Sequence, residues 1–262
     1  MKTKSNFFFL STTLLLCGLI AFVSCTGLLT PGFYAQETLN WQAQSIGQDI
    51  VDLFLIVPVL LVSGIMSFNG KPVAAQVWAG TIIYLIYTFL IFCFAVHFNI
   101  MFIGYCLVLG LSFYSLAIFF PLKSADVESK HTPWRKITGI YFNAIGILFY
   151  FLWLSEILPA TINNSIPETL SDAGLFTNPV HVLDLSIVLP GIFISGILLW
   201  RQNATGYMLA PVILTFLILM DCTIGALIVI MSQRGLEADM SIVWTMGALA
   251  LWSLLLLFKN KN

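Results

Sequence analysis

The chain has 262 residues, of which 59% are hydrophobic and only 9% are charged, with 11 basic and 12 acidic residues. Soluble domains carry about a quarter charged residues, so this composition excludes an ordinary soluble domain and predicts an all-α, polytopic membrane protein. We therefore expect the lipid bilayer to be its main partner, and we expect neither a nucleic-acid partner nor a cofactor.

Apolar stretches recur along the whole chain. Each is close to or beyond the roughly 20 residues that a helix needs to cross a bilayer. Three of them reach that length only if an acidic residue is admitted. The sequence predicts eight membrane-spanning helices, at residues 7–30, 49–68, 72–96, 98–122, 137–155, 180–200, 204–230 and 240–258.

The first of these stretches also looks like a secretion signal. Residues 1–25 combine a basic start with an apolar run, as signal peptides do, and end in "FVSC". The apolar run, however, continues through Leu29, and the fifth predicted span occupies the matching place in the second half of the chain. We expect the first span to be retained.

Basic residues predict how the chain is oriented. With eight spans, ten of the 11 basic residues fall on one side of the membrane, and Arg234 alone falls on the other. Cytoplasmic loops are enriched in Lys and Arg. The pattern predicts cytoplasmic termini, with the following basic residues on that side: Lys2, Lys4, Lys71, Lys123, Lys130, Arg135, Lys136, Arg201, Lys259 and Lys261.

One segment occurs twice. "VDLFLIVPVLLVSGI" at residues 51–65 returns as "LDLSIVLPGIFISGI" at residues 183–197, an offset of 132 positions. An even number of spans in each unit returns the chain to its starting side. The sequence therefore predicts two parallel four-helix repeats, residues 1–130 and 131–262, related by an axis along the membrane normal. The repeat pairs Asp52 with Asp184, Pro58 with Pro190, Ser63 with Ser195 and Gly64 with Gly196.

The start of each repeated helix has its own pattern. "SIGQ" at residues 45–48 has capping-box spacing, and Asn178 before Pro179 is typical of a helix start. The acids would then lie almost two turns inside, about 10 Å from the caps. That distance is too great for a capping role.

The two prolines predict interrupted helices. Pro58 and Pro190 each remove a backbone donor, which leaves the carbonyls of Phe54 and Ser186 without their usual partners, so we expect a kink in both helices. A freed carbonyl can coordinate a cation, but we favour a packing explanation because prolines are frequent in membrane helices.

Helical periodicity predicts where the repeated acids point. Asp184, Gly191 and Ser195 fall on one face of their helix, and Asp52, Val59 and Ser63 fall on the corresponding face of theirs. Ser–Gly pairs allow close helix packing, so both acids should face protein rather than lipid, and the two faces could meet at the centre.

Acidic residues gather in the outer halves of the predicted spans, where no Lys or Arg accompanies them. Acids in a membrane need a partner, a proton or water. They could be protonated, hold a cation or line a wet vestibule. Asp221 has Phe89 as its counterpart, so a site could lie in one half only. The candidate proton or cation ligands are Asp49, Asp52, Glu156, His181, Asp184 and Asp221.

A metal site is the less favoured interpretation of these acids. His181 and Asp184 with Asp49 and Asp52 offer nitrogen and oxygen ligands, but no tight ligand motif accompanies them. The five cysteines lie inside spans without a CxxC motif and are best explained as packing residues.

The segment "NPVHVLDLSIVLPGIFISGILLWRQNATGYMLAP", residues 178–211, resembles a group of uncharacterised bacterial multi-pass membrane proteins. This resemblance implies a location in a bacterial-type cell membrane and assigns no role to any residue.

Two functions remain open from the sequence. The first is proton- or cation-linked transport of a small solute through an outward-facing acidic cavity. The alternative is a structural or regulatory membrane subunit whose acids are protonated. An intramembrane enzyme is least favoured, because the sequence contains no nucleophile–base constellation.

Overall fold

The structure is a computed structural model that describes residues 2–123 and 132–260. Across these residues it is helical and contains no strand. Eight helices are long and apolar enough to cross a membrane, which confirms the predicted number and makes the chain a multi-pass membrane protein. They are α1 (Lys2–Leu29), α2 (Leu39–Phe68), α3 (Pro72–Ala95), α4 (Phe102–Lys123), α5 (Pro133–Ile162), α6 (Pro179–Trp200), α7 (Ala204–Gln233) and α8 (Met240–Lys259).

The two ends of the bundle differ. One end carries a ninth, short helix, Glu168–Ala173, in the connection between α5 and α6; we call it the loop helix and this end the loop-helix end. The other end, where α1 begins and α8 finishes, is the terminal end. The predicted boundary between the repeats, at residues 130 and 131, lies outside the described residues, as do Lys130 and Lys261.

Helix α2 begins ten residues earlier than its apolar stretch. Its N-cap is Thr38, whose hydroxyl accepts a hydrogen bond from the backbone N–H of Trp41. The capping box predicted at Ser45–Gln48 is therefore wrong, because those residues lie inside the helix. The polar stretch is helical because its small residues pack against α7: a Cβ on Gly47 would lie 2.7 Å from the Leu227 side chain.

Helix α6 begins where the sequence predicted. The Asn178 side chain accepts from the backbone N–H groups of Val180 and His181, and Pro179 is the first helical residue. Asp184 then lies five residues into α6, about 8 Å along its axis, whereas Asp52 lies thirteen residues into α2, about 20 Å along. The two acids therefore differ in depth from their helix starts, unlike the prediction.

Both repeated segments contain a π-helical turn. The turns span Asp52–Ile56 in α2 and Asp184–Val188 in α6, so they are 132 residues apart. In each, the N–H of the next residue, Val57 or Leu189, donates to the carbonyl of the aspartate. The proline follows immediately, so the interruption predicted at Pro58 and Pro190 takes the form of a widened turn.

The widened turns shift the buried face by one residue. Leu60 and Ile192 are buried, whereas the predicted Val59 and Gly191 are only half-buried. A π turn contains one more residue than an α-helical turn, so the position that follows the aspartate on its face moves from the seventh residue to the eighth. The serines predicted for this face, Ser63 and Ser195, are buried.

Several helices pack closely against one another at glycine residues. At the crossing of α3 and α7 a Cβ on Gly80 would lie 2.5 Å from the carbonyl oxygen of Val212. Gly64 packs α2 onto Thr13 of α1, and Gly196 packs α6 onto Gly139 and Asn143 of α5. The Ser–Gly pairs thus allow close packing, as predicted.

Two outer helix pairs differ in how they meet. Helices α1 and α4 pack on one another. Helices α5 and α8 are joined near the terminal end, where the Tyr141 and Ser253 hydroxyls are 2.8 Å apart and Asn260 donates to Thr138 over 2.8 Å. Beyond these contacts, towards the loop-helix end, residues of both helices line a cavity.

Candidate functional site

A cavity of about 740 Å³ lies among the membrane-spanning helices. Helices α2, α3, α5, α6, α7 and α8 contribute to its wall, and the loop helix contributes at one end. Most of the wall is apolar or aromatic. The carboxyl groups in the wall are those of Glu156, Asp172, Asp184 and Asp221.

Asp184 is the best-supported carboxylate in the wall. The Tyr87 hydroxyl donates to its Oδ1 over 3.1 Å, and the Trp153 indole N–H donates to its Oδ2 over 2.9 Å. An indole N–H can only donate, so Oδ2 must accept. Two donors from α3 and α5 thus hold a carboxyl group of α6 in one orientation, with a residue exposure of only 9%.

Asp221 is buried without such support. It is 5% exposed, lines the cavity from α7, and its Oδ2 has no hydrogen-bond partner. Its repeat counterpart, Phe89, is instead packed beside Phe92 and Tyr105 in a cluster of aromatic rings. Residue 221 is therefore a buried carboxyl group, whereas the residue 132 positions earlier is a packed aromatic ring.

Glu156 and His181 lie near the loop-helix end of the cavity. The Thr169 hydroxyl of the loop helix donates to Glu156, which ties this helix to α5. His181 Nε2 lies 3.9 Å from Glu156 Oε2, and its ring lies 4.6 Å from the Trp153 ring, centre to centre. His181 therefore contacts the residues around Asp184, although it is not part of the cavity wall.

Asp52 belongs to a hydrogen-bonded chain that crosses from α2 to α7. Gln48 Nε2 donates to Asp52 Oδ1 over 2.9 Å and to the Tyr84 hydroxyl over 2.7 Å. Tyr84 lies 2.8 Å from Thr223 Oγ1, which donates to the carbonyl of Leu219. The Tyr84 proton must then point to Thr223, so every donor direction in the chain is fixed.

Asp49 lies on the α1 side of α2. The Tyr34 hydroxyl donates to Asp49 Oδ2 over 2.7 Å, and a Cβ on Gly27 would lie 2.1 Å from that oxygen. Tyr34 precedes α2 and is 3% exposed. Burial, and next the Asp49 carboxylate, raise the pKa of Tyr34 well above its usual range, so the hydroxyl keeps its proton.

The structure thus divides the predicted site residues into two groups. Asp184, Asp221 and Glu156 share the cavity, while Asp49 and Asp52 are fully buried and outside its wall. Both repeated acids face protein, as predicted, yet they do not meet at the centre. Each connects to a different tyrosine of α3: Asp184 directly to Tyr87, and Asp52 through Gln48 to Tyr84.

The arrangement does not support the metal hypothesis. His181 packs on Trp153, whereas Asp49 accepts from Tyr34 beside α1, so the four proposed ligands do not converge. Over residues 2–123 and 132–260 no three His, Cys, Asp or Glu side chains form a group that could hold a metal ion. All five cysteines are free thiols.

Several residues of the site were not singled out from the sequence. They are uncharged donors inside spans, and they became evident only from the contacts they make. The sequence signal that could have identified them is the pair Tyr84 and Tyr87, which lie one helical turn apart on α3. Polar side chains inside a span need hydrogen-bond partners, so such a pair indicates a polar contact with other helices. The residues are Gln48, Tyr84, Tyr87, Trp153 and Thr223.

Comparisons of the chain with protein-family models, with curated proteins and with solved structures found no match.

Proposed function

We propose that this protein carries a small solute across a membrane and that the movement is linked to a proton or a cation. One observation carries the proposal: a cavity of about 740 Å³ lies within the spanning helices and has Asp184, Asp221 and Glu156 in its wall. A charged carboxylate inside a membrane costs about 2.5–3.5 kcal/mol on insertion scales, so such groups mark ion and substrate pathways.

The shape of the cavity supports transport. Along α5 it extends from Tyr141 to Glu156, a rise of about 22 Å. At the terminal end the Tyr141–Ser253 and Asn260–Thr138 hydrogen bonds join α5 to α8. Alternating access requires one end to close while the other opens. Separation of these two hydrogen-bonded contacts would open the cavity towards the terminal end.

The buried acids outside the wall supply the link to an ion. Gln48 belongs to the wall and also donates to Asp52, so a change of charge on Asp52 reaches the cavity through one side chain. The same amide contacts Tyr84, which bonds to Thr223 in the wall. Binding of a proton or cation at Asp52 would reorient donors on α2, α3 and α7 together.

In this proposal the protein is built from two parallel four-helix repeats. The equivalent π turns support it, as do the equivalent glycines, Gly64 and Gly196. Contacts of α1 with α2 and of α3 with α4 have counterparts in α5 with α6 and α7 with α8, and α3 packs on α7 between the halves.

We place the termini in the cytoplasm and the loop-helix end outside, in a bacterial-type cell membrane. Arg234 is alone among the basic residues in belonging to the loop-helix side by sequence order, and the rest follow the positive-inside rule. The resemblance of residues 178–211 to bacterial multi-pass proteins agrees with this location.

Ion-dependent stability tests the proposal. Purified protein would be melted across a pH series in matched sodium and choline chloride, alongside Asp52→Asn, Asp184→Asn and the exposed control Glu237→Gln. We expect the melting temperatures of the wild type and the control to depend on pH or sodium, and we expect each aspartate variant to remain folded and to show a smaller dependence than the wild type.

Vesicles complete the test. Proteoliposomes that contain a pH-sensitive dye would be given a pH or sodium gradient, and the rate at which the gradient collapses would be compared with that of protein-free vesicles. Equal rates, together with aspartate variants that weaken folding but leave the ion response unchanged, would contradict transport. That result would favour a structural subunit with protonated acids.

A further inference from the structure

The wall of the cavity is acidic and has no basic residue to balance it. Four carboxyl groups line it, and its described lining contains no Lys, Arg or His. Asp184 and Asp221 are buried, and carboxylates in a low-dielectric site attract positive charge strongly and repel an anionic solute. The sign of the ligand's charge therefore follows from the composition of the wall.

Asp221 supplies the unsatisfied group. It is 5% exposed, and its Oδ2 accepts no hydrogen bond. Among the described residues no side chain or backbone group donates to that oxygen. A buried carboxylate without a donor is costly, so the positive charge of a cationic group in the cavity would lower this cost. Asp184, by contrast, has a donor on each oxygen.

The remaining wall suits an organic body rather than a bare metal ion. Mg²⁺ and Ca²⁺ need six or more oxygen ligands, and no suitable group of His, Cys, Asp and Glu occurs among the described residues. The wall instead carries many aromatic rings, whose faces attract cations and whose bodies pack against apolar groups. These rings belong to Trp41, Tyr87, Phe92, Tyr141, Phe149, Trp153 and Phe216.

We infer that the cavity binds an organic cation with an apolar body, with its positive centre near Asp221 and its body against the aromatic wall. The volume of about 740 Å³ falls in the range of about 300–1,000 Å³ that is typical of small-molecule sites. This inference names the solute class and so rests on the proposed function, but binding itself requires neither a gradient nor movement.

A pair of ions with the same shape and opposite charge tests the inference. Tetraphenylphosphonium and tetraphenylborate would each be titrated into the purified protein in a neutral detergent, and heats of binding would be measured by calorimetry against detergent alone. We expect saturable binding of the phosphonium ion and at least tenfold weaker binding of the borate, because charge complementarity decides between the two.

Two variants locate the binding. Asp221→Asn removes the unpartnered carboxylate and should weaken phosphonium binding about tenfold or more, whereas Glu237→Gln removes an exposed carboxylate outside the cavity and should leave the affinity unchanged. Equal binding of both ions by the wild type, or absence of phosphonium binding, would overturn the inference. Equal effects of the two substitutions would overturn it as well.

Different results would contradict the proposed transport and the proposed binding of an organic cation. Phosphonium binding without any ion-dependent stability or gradient collapse would leave the binding site in place and contradict transport. Ion-dependent stability and gradient collapse without phosphonium binding would retain transport and exclude this solute class.

Discussion

Helices α2 and α6 share a segment of sequence and the same π-helical turn, yet their aspartates have different surroundings. Asp184 receives hydrogen bonds from Tyr87 and Trp153 and lines the cavity. Asp52 has no exposure, receives one hydrogen bond from Gln48, and has an Oδ2 without a partner.

The difference teaches that the backbone feature and the chemistry of the acid are separable. The π turn depends on the local Asp-to-Pro segment, which both helices contain. The environment of the acid depends on neighbouring helices, and these differ: Trp153 has Ala21 as its counterpart, and Asp221 has Phe89. Phe89 packs beside Phe92 and Tyr105, whereas Trp153 and Asp221 line the cavity.

The largest loss of stability is expected at the glycines through which α2 and α6 pack on their neighbouring helices. A Cβ at Gly196 would lie 2.2 Å from Asn143 Oδ1 and 2.9 Å from the backbone oxygen of Gly139, whereas at Gly64 it would meet only the Thr13 side chain, at 2.6 Å. Backbone yields less than a side chain, so Gly196→Ala should cost about 3 kcal/mol and Gly64→Ala about 1 kcal/mol. Denaturant unfolding in detergent measures both. Equal costs would contradict this explanation.

A smaller loss of stability is expected when Gln48 of α2 is replaced by valine, the residue at the equivalent position of α6. Gln48→Val, which copies Val180, removes the donor to Asp52 and the donor to Tyr84. Two lost hydrogen bonds should lower the free energy of unfolding by about 2 kcal/mol.

The matched control for this change is Gln44→Val. Gln44 also lines the cavity, but it donates only to Asn40 on its own helix, so the control should cost no more than about 0.5 kcal/mol. If the two variants have the same free energy of unfolding, the hydrogen bonds that connect Asp52, Gln48, Tyr84 and Thr223 contribute nothing to stability.

The third prediction concerns pH and the hydrogen bond between Tyr34 and Asp49. Tyr34→Phe removes the donor to Asp49 and should cost about 1 kcal/mol at neutral pH. The pKa of Tyr34 is raised in the folded protein, chiefly by burial. Its stabilising contribution is therefore complete below pH 10, the usual tyrosine pKa, and decreases as the pH rises above about 10.

Thermal unfolding followed from pH 8 upwards measures this effect. The wild type should lose stability more steeply than Tyr34→Phe above about pH 10, because only the wild type has this proton to lose on unfolding. Parallel curves would show that the hydroxyl ionises equally in the folded and unfolded chains.

The smallest effect is expected at the prolines. Pro58→Ala and Pro190→Ala each restore a backbone donor next to a π turn. Because the turns are equivalent, the two substitutions should change stability by less than about 1 kcal/mol each and agree within about 0.5 kcal/mol. If calorimetry showed clearly different losses of stability for the two substitutions, the equivalence of the two π turns would be contradicted.

Much of the fold could be predicted from the sequence, because hydrophobic length is a local property. The eight spans followed from apolar stretches, and the start of α6 from Asn178 and Pro179. The start of α2 could not be predicted in this way. Residues 39–48 are polar enough to suggest a loop, and they are helical because Ala43, Ser45 and Gly47 pack against other helices.

The candidate site could be predicted only in part. The acids were evident because charges are rare in spans, and burial of Asp52 and Asp184 followed from periodicity. The cavity, and the position of Asp49 and Asp52 outside its wall, are properties of tertiary packing between helices that are distant in sequence. A proline predicts an interrupted helix, but a proline alone does not predict that the interruption takes the form of a π-helical turn.

Trp153 has a practical consequence for anyone who studies this molecule. Its indole forms part of the cavity wall and donates to Asp184, so an occupant would alter the polarity around a natural fluorophore. The chain has seven tryptophans, and subtracting the emission of Trp153→Phe from that of the wild type would isolate the spectrum of this one. Occupancy could then be followed by light, without a label, in the intact protein.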